Sequence, residues 1–330
     1  MADKKVLDPS QLKAFENAAA GHDGVLSDPS GELVIKPCTD AEIAFYQQTL
    51  LEHPVFAEMM PTFMGTLGLG APTQTIDATA AHEGLEPGRA QGGDQPTHGG
   101  KISTETAIVL ENLEHGFKHA NVLDLKLGAR LYADGTSAEK AARLDKVASE
   151  TTSRALNFRI AGMKVWNGTG FDIYDKFYGR GFNAGNVKDG FATFFAGLGV
   201  GVSADVAAEL LETIQAEISK VRHALERLQS RMYSASILIV YEGDSAALDG
   251  LMGGAPKTPR VDERAPTVGE VKKSVEEEEE EEEEEPVAFK VKMIDFAHAA
   301  WTPGEGADEN VIKGLKNIEA QMDHLIMRFQ

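Results

Sequence analysis

Two apolar segments, far apart in the chain, carry charge where a buried strand normally carries none. Asn121-Val-Leu-Asp124-Leu-Lys126-Leu-Gly128 and Lys292-Met-Ile294-Asp295-Phe296-Ala297-His298 both read as strands. In an extended chain residues i and i+2 point to one face, so Asp124 and Lys126 project together, an anion beside a cation. Alone, that pair equally suits a surface ion pair contributing under about 1 kcal/mol. Asp295 weighs against that reading, because a carboxylate inside an apolar run is costly unless it is paired or ligating. It could cap a backbone turn, or hold the metal ion that nucleotide phosphates require. The three residues together suggest a phosphoryl-transfer site.

Composition sets the frame for this site. The 330 residues include 32 basic and 52 acidic side chains, with a formal charge of -20 and 42% apolar content. Such a length suits about two domains or one bilobal unit with a real core. Residues 276–285 are ten consecutive glutamates, and removing them halves the charge, since -20 + 10 = -10. Residues 121–180 instead hold ten Lys/Arg against seven Asp/Glu, a local balance of +3. Local potential governs binding, so an acidic protein can keep a basic pocket for an anionic ligand. No basic stripe or nucleic-acid module is visible, so direct binding to duplex nucleic acid is not expected. Cys38 is the single cysteine, which forbids an internal disulfide and suits a reducing cytosol or nucleus. No signal peptide and no apolar run long enough for a membrane span is expected.

Along the chain, Gly24–Pro37 reads as strand, turn and strand around Asp28-Pro-Ser-Gly31. Asp40–Leu51 reads as a helix capped by Thr39 or Asp40, with Ile43, Tyr46, Gln47 and Leu50 near one face. Residues 68–101 are rich in Gly, Pro, Thr and Gln and read as a flexible insertion. Thr106–Leu110 resumes as a strand and leads into Glu111-Asn112-Leu113. Thr136-Ser-Ala-Glu139 is a capping box for a helix bearing Lys140, Arg143 and Lys146. Those three cations suit either a solvated helix face or a phosphate cradle; Arg159, Lys164 and Arg180 are further candidates for the cradle, and Lys164 equally suits a strand-edge charge. Phe158–Trp166 and Ser236–Tyr241 read as strands, and Ser203–Met232 as the longest helix. Residues 243–286 read as an acidic, disordered insertion, Phe289–Phe296 as a last strand and Asn310–Arg328 as a last helix. Gly197-Leu-Gly199-Val-Gly201 lacks the strand and acidic residue of a dinucleotide motif and reads as a loop before the long helix. The histidines show no zinc spacing, and Trp166 and Trp301 read as packing residues.

These segments, taken in order, resemble the inositol polyphosphate kinase family, and within it the fungal multikinases. The hallmark Pro-x-x-x-Asp-x-Lys-x-Gly is matched by Asp124-Leu-Lys126-Leu-Gly128, although no proline precedes it. Val147–Thr152 through Gly162-Met-Lys164 looks like the fungal segment that follows the hallmark. Ser234-Ala235-Ser236-Ile237-Leu238 resembles a Ser-Ser-Leu-Leu element, with Ala235 in place of a serine. Ile294-Asp295-Phe296 matches the Ile-Asp-Phe element, and Gly304–Asn310 followed by Gly314-Leu315 matches the C-terminal pattern.

The resemblance implies a bilobal α+β fold related to protein kinases. An ATP-binding N-lobe, residues 1–113 with an antiparallel sheet, would include the 68–101 insertion. A larger mixed C-lobe, residues 114–330, would bind inositol phosphate and metal and include the 243–286 insertion. Lys36 would hold nucleotide phosphates, and Glu111 and Leu113 would offer backbone groups to adenine. Asp124 would lie near the ribose and the reacting hydroxyl, and Lys126 would bridge the transferred phosphoryl group and the substrate. Asp295 would bind Mg²⁺, and His298 would approach the inositol phosphate beside Lys140, Arg143, Lys146, Arg159 and Lys164. The expected activity is ATP-dependent phosphorylation of inositol trisphosphate to tetrakis- and pentakisphosphate by a monomer in nucleus and cytoplasm. Glu276–Glu285 reads first as a self-repelling, solvated run; the alternative, which the resemblance suggests, is a contact surface for basic partners such as transcription factors or histones. An inositol hexakisphosphate kinase, or an acidic scaffold in a transcription complex, stands as the alternative.

Overall fold

The computed structural model describes residues 11–15, 24–69, 104, 106–253 and 286–330. Two five-stranded antiparallel sheets carry the architecture. The first contains β1 (Lys13–Ala14), β2 (Leu26–Ser27), β3 (Leu33–Pro37), β4 (Phe63–Gly68) and β5 (Thr106–Glu111), in the order β1-β2-β3-β5-β4. Between β3 and β4 run α1 (Asp40–Glu52) and α2 (Pro54–Ala57). Leu26 pairs with Ile35 across the expected hairpin, and the left-handed Gly31 (φ 80°) closes its turn.

The second sheet follows the connection 112–119. It contains β6 (Ala120–Leu127), β7 (Phe158–Trp166), β8 (Phe171–Tyr174), β10 (Ser236–Glu242) and β11 (Phe289–Ile294), in the order β11-β10-β6-β7-β8. Helices α3 (Ala138–Ser149) and α4 (Thr152–Leu156) separate β6 from β7. After β8 come α5 (Lys176–Arg180), α6 (Val187–Phe194) and α7 (Ala204–Leu225). A small ribbon pairs β9 (Ser230–Met232) with β12 (Ala299–Trp301), α8 (Ser245–Met252) follows β10, and α9 (Glu309–Ile326) ends the fold. This is the bilobal kinase-related plan that the resemblance implied.

One face of β6 makes core and the other makes site. Leu123, Leu125 and Leu127 are fully buried in the main core, which α7 enters with Leu210, Ile214, Ile218 and Val221, and α9 with Leu315, Ile318 and Met322. Asp124 and Lys126 alternate with them and face the other way. Phe45 of α1 stacks on Phe296 and Trp301 at 4.8 and 5.2 Å between ring centres, which anchors α1 to the segment holding Asp295. Trp301 is a packing residue, as expected.

Several local readings change. The buried face of α1 is Glu42, Phe45, Tyr46 and Thr49, whereas Leu50 is 48% exposed. Thr39 caps α1, and Ser137 rather than Thr136 caps α3. The long helix stops at Leu225, because Ser230–Met232 pairs with β12. Residues 245–252 are helical, capped by Asp244 with Leu248 buried, so the linker expected from residue 243 does not begin there. The Glu276–Glu285 run and most of the 68–101 insertion lie outside the described residues.

Candidate active site between the two sheets

An open cleft lies between the sheets and is lined by both. Val25 and Val34 line it from the first sheet, and Val122, Leu238 and Ile294 from the second. Glu111, Asn112, Leu113 and Glu114 form one edge, and Lys36, Asp124 and Asp295 lie along its charged part. Apolar walls on two sides suit a flat heterocycle, and a cationic end suits phosphates.

Strand register places the charged residues. Asp124 pairs with Leu238 and Gly162, and Lys126 pairs with Ser236 and Arg159. Ser236 also pairs with Ile294, so Asp295 leaves β11 one residue past that row. Asp295 has a left-handed backbone (φ 68°), which turns the chain sharply at this point. Its carboxylate accepts from Lys36 Nζ at 2.8 Å and lies 3.8 Å from Lys126 Nζ. Lys126 Nζ also donates to the Ser234 carbonyl at 3.0 Å. The three elements predicted to converge, from β3, β6 and β11, therefore do so.

Glu42 is a charged side chain of this cluster that sequence reasoning missed. It is fully buried, accepts from Lys36 Nζ at 2.8 Å and from the Phe296 N–H at 3.2 Å. Burial alone would lower the Lys36 pKa, but Asp295 and Glu42 together raise it well above the ordinary lysine range. Lys36 is thus a permanent cation held between two carboxylates.

The predicted substrate residues separate into three places. His298 follows Asp295, and its pKa is lowered by partial desolvation and then by Lys140 and Lys126, with Glu42 opposing. Lys140, exposed in the first turn of α3, acts on His298 through its charge. Arg143 and Lys146 are exposed one and two turns further on, with Lys146 3.9 Å from Glu150. Arg159 lies beside Arg180: burial and that second guanidinium bring its pKa down to about 10, while Asp124 pulls it up. Gly179 makes the approach possible, since any Cβ there would collide with the Ile160 backbone. Lys164 departs from expectation. It pairs with Glu114 on the connection edge, because it sits opposite Val122, four positions along β6 from Lys126.

The loop after Lys126 is fastened by Asn310 of α9. Its Oδ1 accepts from the Ala129 and Arg130 N–H groups at 2.8 and 3.0 Å, and its Nδ2 donates to the Arg130 carbonyl at 3.0 Å. Gly128 (φ 95°) donates its N–H to the Asn157 carbonyl at 2.7 Å, and a side chain at Gly128 would strike Asn310.

The residues fit a divalent cation. Asp295 supplies hard oxygen, and Ser236 Oγ and Glu42 Oε2 are buried nearby without hydrogen-bond partners. Among the described residues no three His, Cys, Asp or Glu side chains gather. A cation here would complete its shell with phosphate and water, as Mg²⁺ does.

Comparison with known proteins agrees with this geometry. A family model described as inositol polyphosphate kinase matches residues 107–323. The inositol polyphosphate multikinase of Saccharomyces cerevisiae is 31% identical over 94% of this chain and 97% of its own length. That of Schizosaccharomyces pombe is 29% identical over 93% and 96%. Inositol hexakisphosphate kinase 1 of Rattus norvegicus is 31% identical over 66% of this chain but only 51% of its own length. A crystal structure of the multikinase Ipk2 from S. cerevisiae, in complex with ADP and Mn²⁺, superposes with a TM-score of 0.64 and 26% identity. That match covers 90% of this chain and all of the solved one.

Proposed function

The chain belongs to the inositol polyphosphate kinase family, and on that footing we propose that it converts inositol 1,4,5-trisphosphate through the tetrakisphosphate to the pentakisphosphate, using ATP and Mg²⁺. The observation carrying this reading is the meeting of Lys36, Lys126 and Asp295 beside buried Asp124 at one part of an otherwise apolar cleft. End-to-end likeness to two multikinases favours this substrate class over hexakisphosphate kinases, which the chain matches over half their length.

In this reading the base lies between the valines of the two sheets and the phosphates face Lys36. Asp295 would hold the metal, which would supply neutralisation of the phosphate charge. Asp124 accepts a hydrogen bond from the attacking hydroxyl and so orients it. Lys126 stands between nucleotide and acceptor, where charge builds as the phosphoryl group moves. Arg159 and Arg180 repel each other until an anion lies between them, and a substrate phosphate relieves that repulsion. Lys140 and His298 add positive charge and a hydrogen-bonding ring for a further substrate phosphate.

The test is a time course with ATP, Mg²⁺ and inositol 1,4,5-trisphosphate, with products resolved by ion exchange. Successive tetrakis- and pentakisphosphate peaks are expected. A stop at tetrakisphosphate refutes the two-step reading, and turnover of inositol hexakisphosphate alone moves the chain to the other branch of the family.

A further inference from the structure

A second ion pair is built into the cleft wall, away from Lys36. Lys164 Nζ donates to the Glu114 carboxylate, and both side chains are largely buried, at 7% and 17% exposure. The Phe171 ring lies 4.8 Å from the same ammonium. Glu114 lines the cleft immediately after the connection residues Glu111–Leu113. As a stabilising device such a pair gains little, since desolvating two charges offsets most of their attraction and an apolar pair would serve as well. Its position in the wall of a ligand site calls for another account.

The register supplies one. Lys164 sits opposite Val122, and Gly162 sits opposite Asp124. The floor therefore runs from Val122 to Asp124 with the Glu114–Lys164 pair along its side and no side chain at Gly162. A nucleotide with its base on Val122, Leu238 and Ile294 and its phosphates at Lys36 must carry its sugar across this stretch. The sugar hydroxyls are donors, and a carboxylate is an acceptor with lone pairs to spare beyond one ammonium. Lys164 also neutralises that carboxylate, which would otherwise repel the triphosphate.

We propose that Glu114, held by Lys164, accepts a hydrogen bond from a ribose hydroxyl and makes the cleft selective for ribonucleotides. The proposal rests on the nucleotide position in the kinase reading above. Its test compares ATP with 2′-deoxy-ATP and 3′-deoxy-ATP as phosphoryl donors, and ADP with the matching deoxy-ADPs in calorimetric binding with Mn²⁺. Hydrogen bonds to charged groups set the expected scale: the wild type should prefer the ribonucleotide over at least one analogue by about tenfold or more. Glu114→Gln should narrow that ratio to about threefold or less. A double variant, Glu114→Leu with Lys164→Met, leaves no buried charge unpaired and should lose the preference as well. Equal use of all three donors by the wild type overturns the proposal, as does full preference in both variants. A protein that binds ADP but transfers no phosphate sinks the kinase reading alone, and the binding ratios still decide this one.

Discussion

Glu42 offers the sharpest test of how the cleft is held. Glu42→Gln keeps an acceptor for the Phe296 N–H but removes the charge facing Lys36. At 2.8 Å, the lost attraction is about 6 kcal/mol with an effective dielectric constant of about 20. Most of this is returned, because burying the Glu42 charge itself costs several kcal/mol. Lys36 also keeps Asp295, so it is not orphaned. The net loss should resemble one charge-assisted hydrogen bond, about 2 kcal/mol, and lower the melting temperature by about 3 °C for a chain of this length. Burial works against the Lys36 charge, but Asp295 and Glu42 raise its pKa. Its stabilisation is therefore complete below the unfolded lysine pKa of about 10.4 and is lost only in stronger alkali, so the wild-type-to-variant gap should be flat from about pH 6 to about pH 9. Function should suffer as well. With one carboxylate gone, Lys36 is drawn wholly to Asp295 and competes with phosphate and metal for it, so KM for ATP should rise about tenfold, a loss near 1.4 kcal/mol. Thermal melts across pH and initial-rate kinetics measure both effects. A variant that melts with the wild type and keeps its KM for ATP would refute the reasoning.

Three further substitutions follow from the same geometry. Asp295→Ala should melt as a folded protein yet lose turnover by about 10³-fold or more, since metal and electrostatic positioning carry most of phosphoryl transfer; near-normal activity would remove Asp295 from metal binding. Lys126→Ala should slow kcat by about 10²-fold or more while substrate still binds, and a rise in KM alone would contradict its transition-state role. Asn310→Ala should cost about 1–3 kcal/mol of stability and lower kcat with KM for ATP unchanged, because it frees the loop after Lys126 but touches nothing in the nucleotide cleft; equal effects on both nucleotide and inositol phosphate parameters would mark it as merely structural.

Much of the site was legible because its signals are local. Alternation fixes the faces of β6, and an aspartate within an apolar run announces Asp295, so both strands and their charges follow from the sequence alone. Glu42 was hidden by an adequate local explanation. Thr39-x-x-Glu42 fits a capping box, and a stripe through Ile43 and Leu50 turns Glu42 away from the core. The real packing is set by Phe45 stacking on Phe296 and Trp301, contacts that join residues more than two hundred positions apart. That docking rotates the helix until Glu42 meets Lys36, and no pattern within α1 could reveal it.

Lys164 was misplaced for a different reason, and the cause is a single extra residue. Arg159 and Lys164 are five apart, so in a regular strand they face opposite ways. The register between β6 and β7 slips between Asp124 and Leu125, where Leu125 pairs with Ile160 but Asp124 with Gly162. Ala161 is the residue passed over, as in a β-bulge. Beyond it the parity of β7 reverses, and Arg159 and Lys164 come to the same face, opposite Lys126 and Val122 respectively. The bulge thus sets two cations of one strand at two ends of one site. Arg159 stands opposite Lys126 and Lys164 by the connection edge. Counting basic residues would pool them, whereas register separates them.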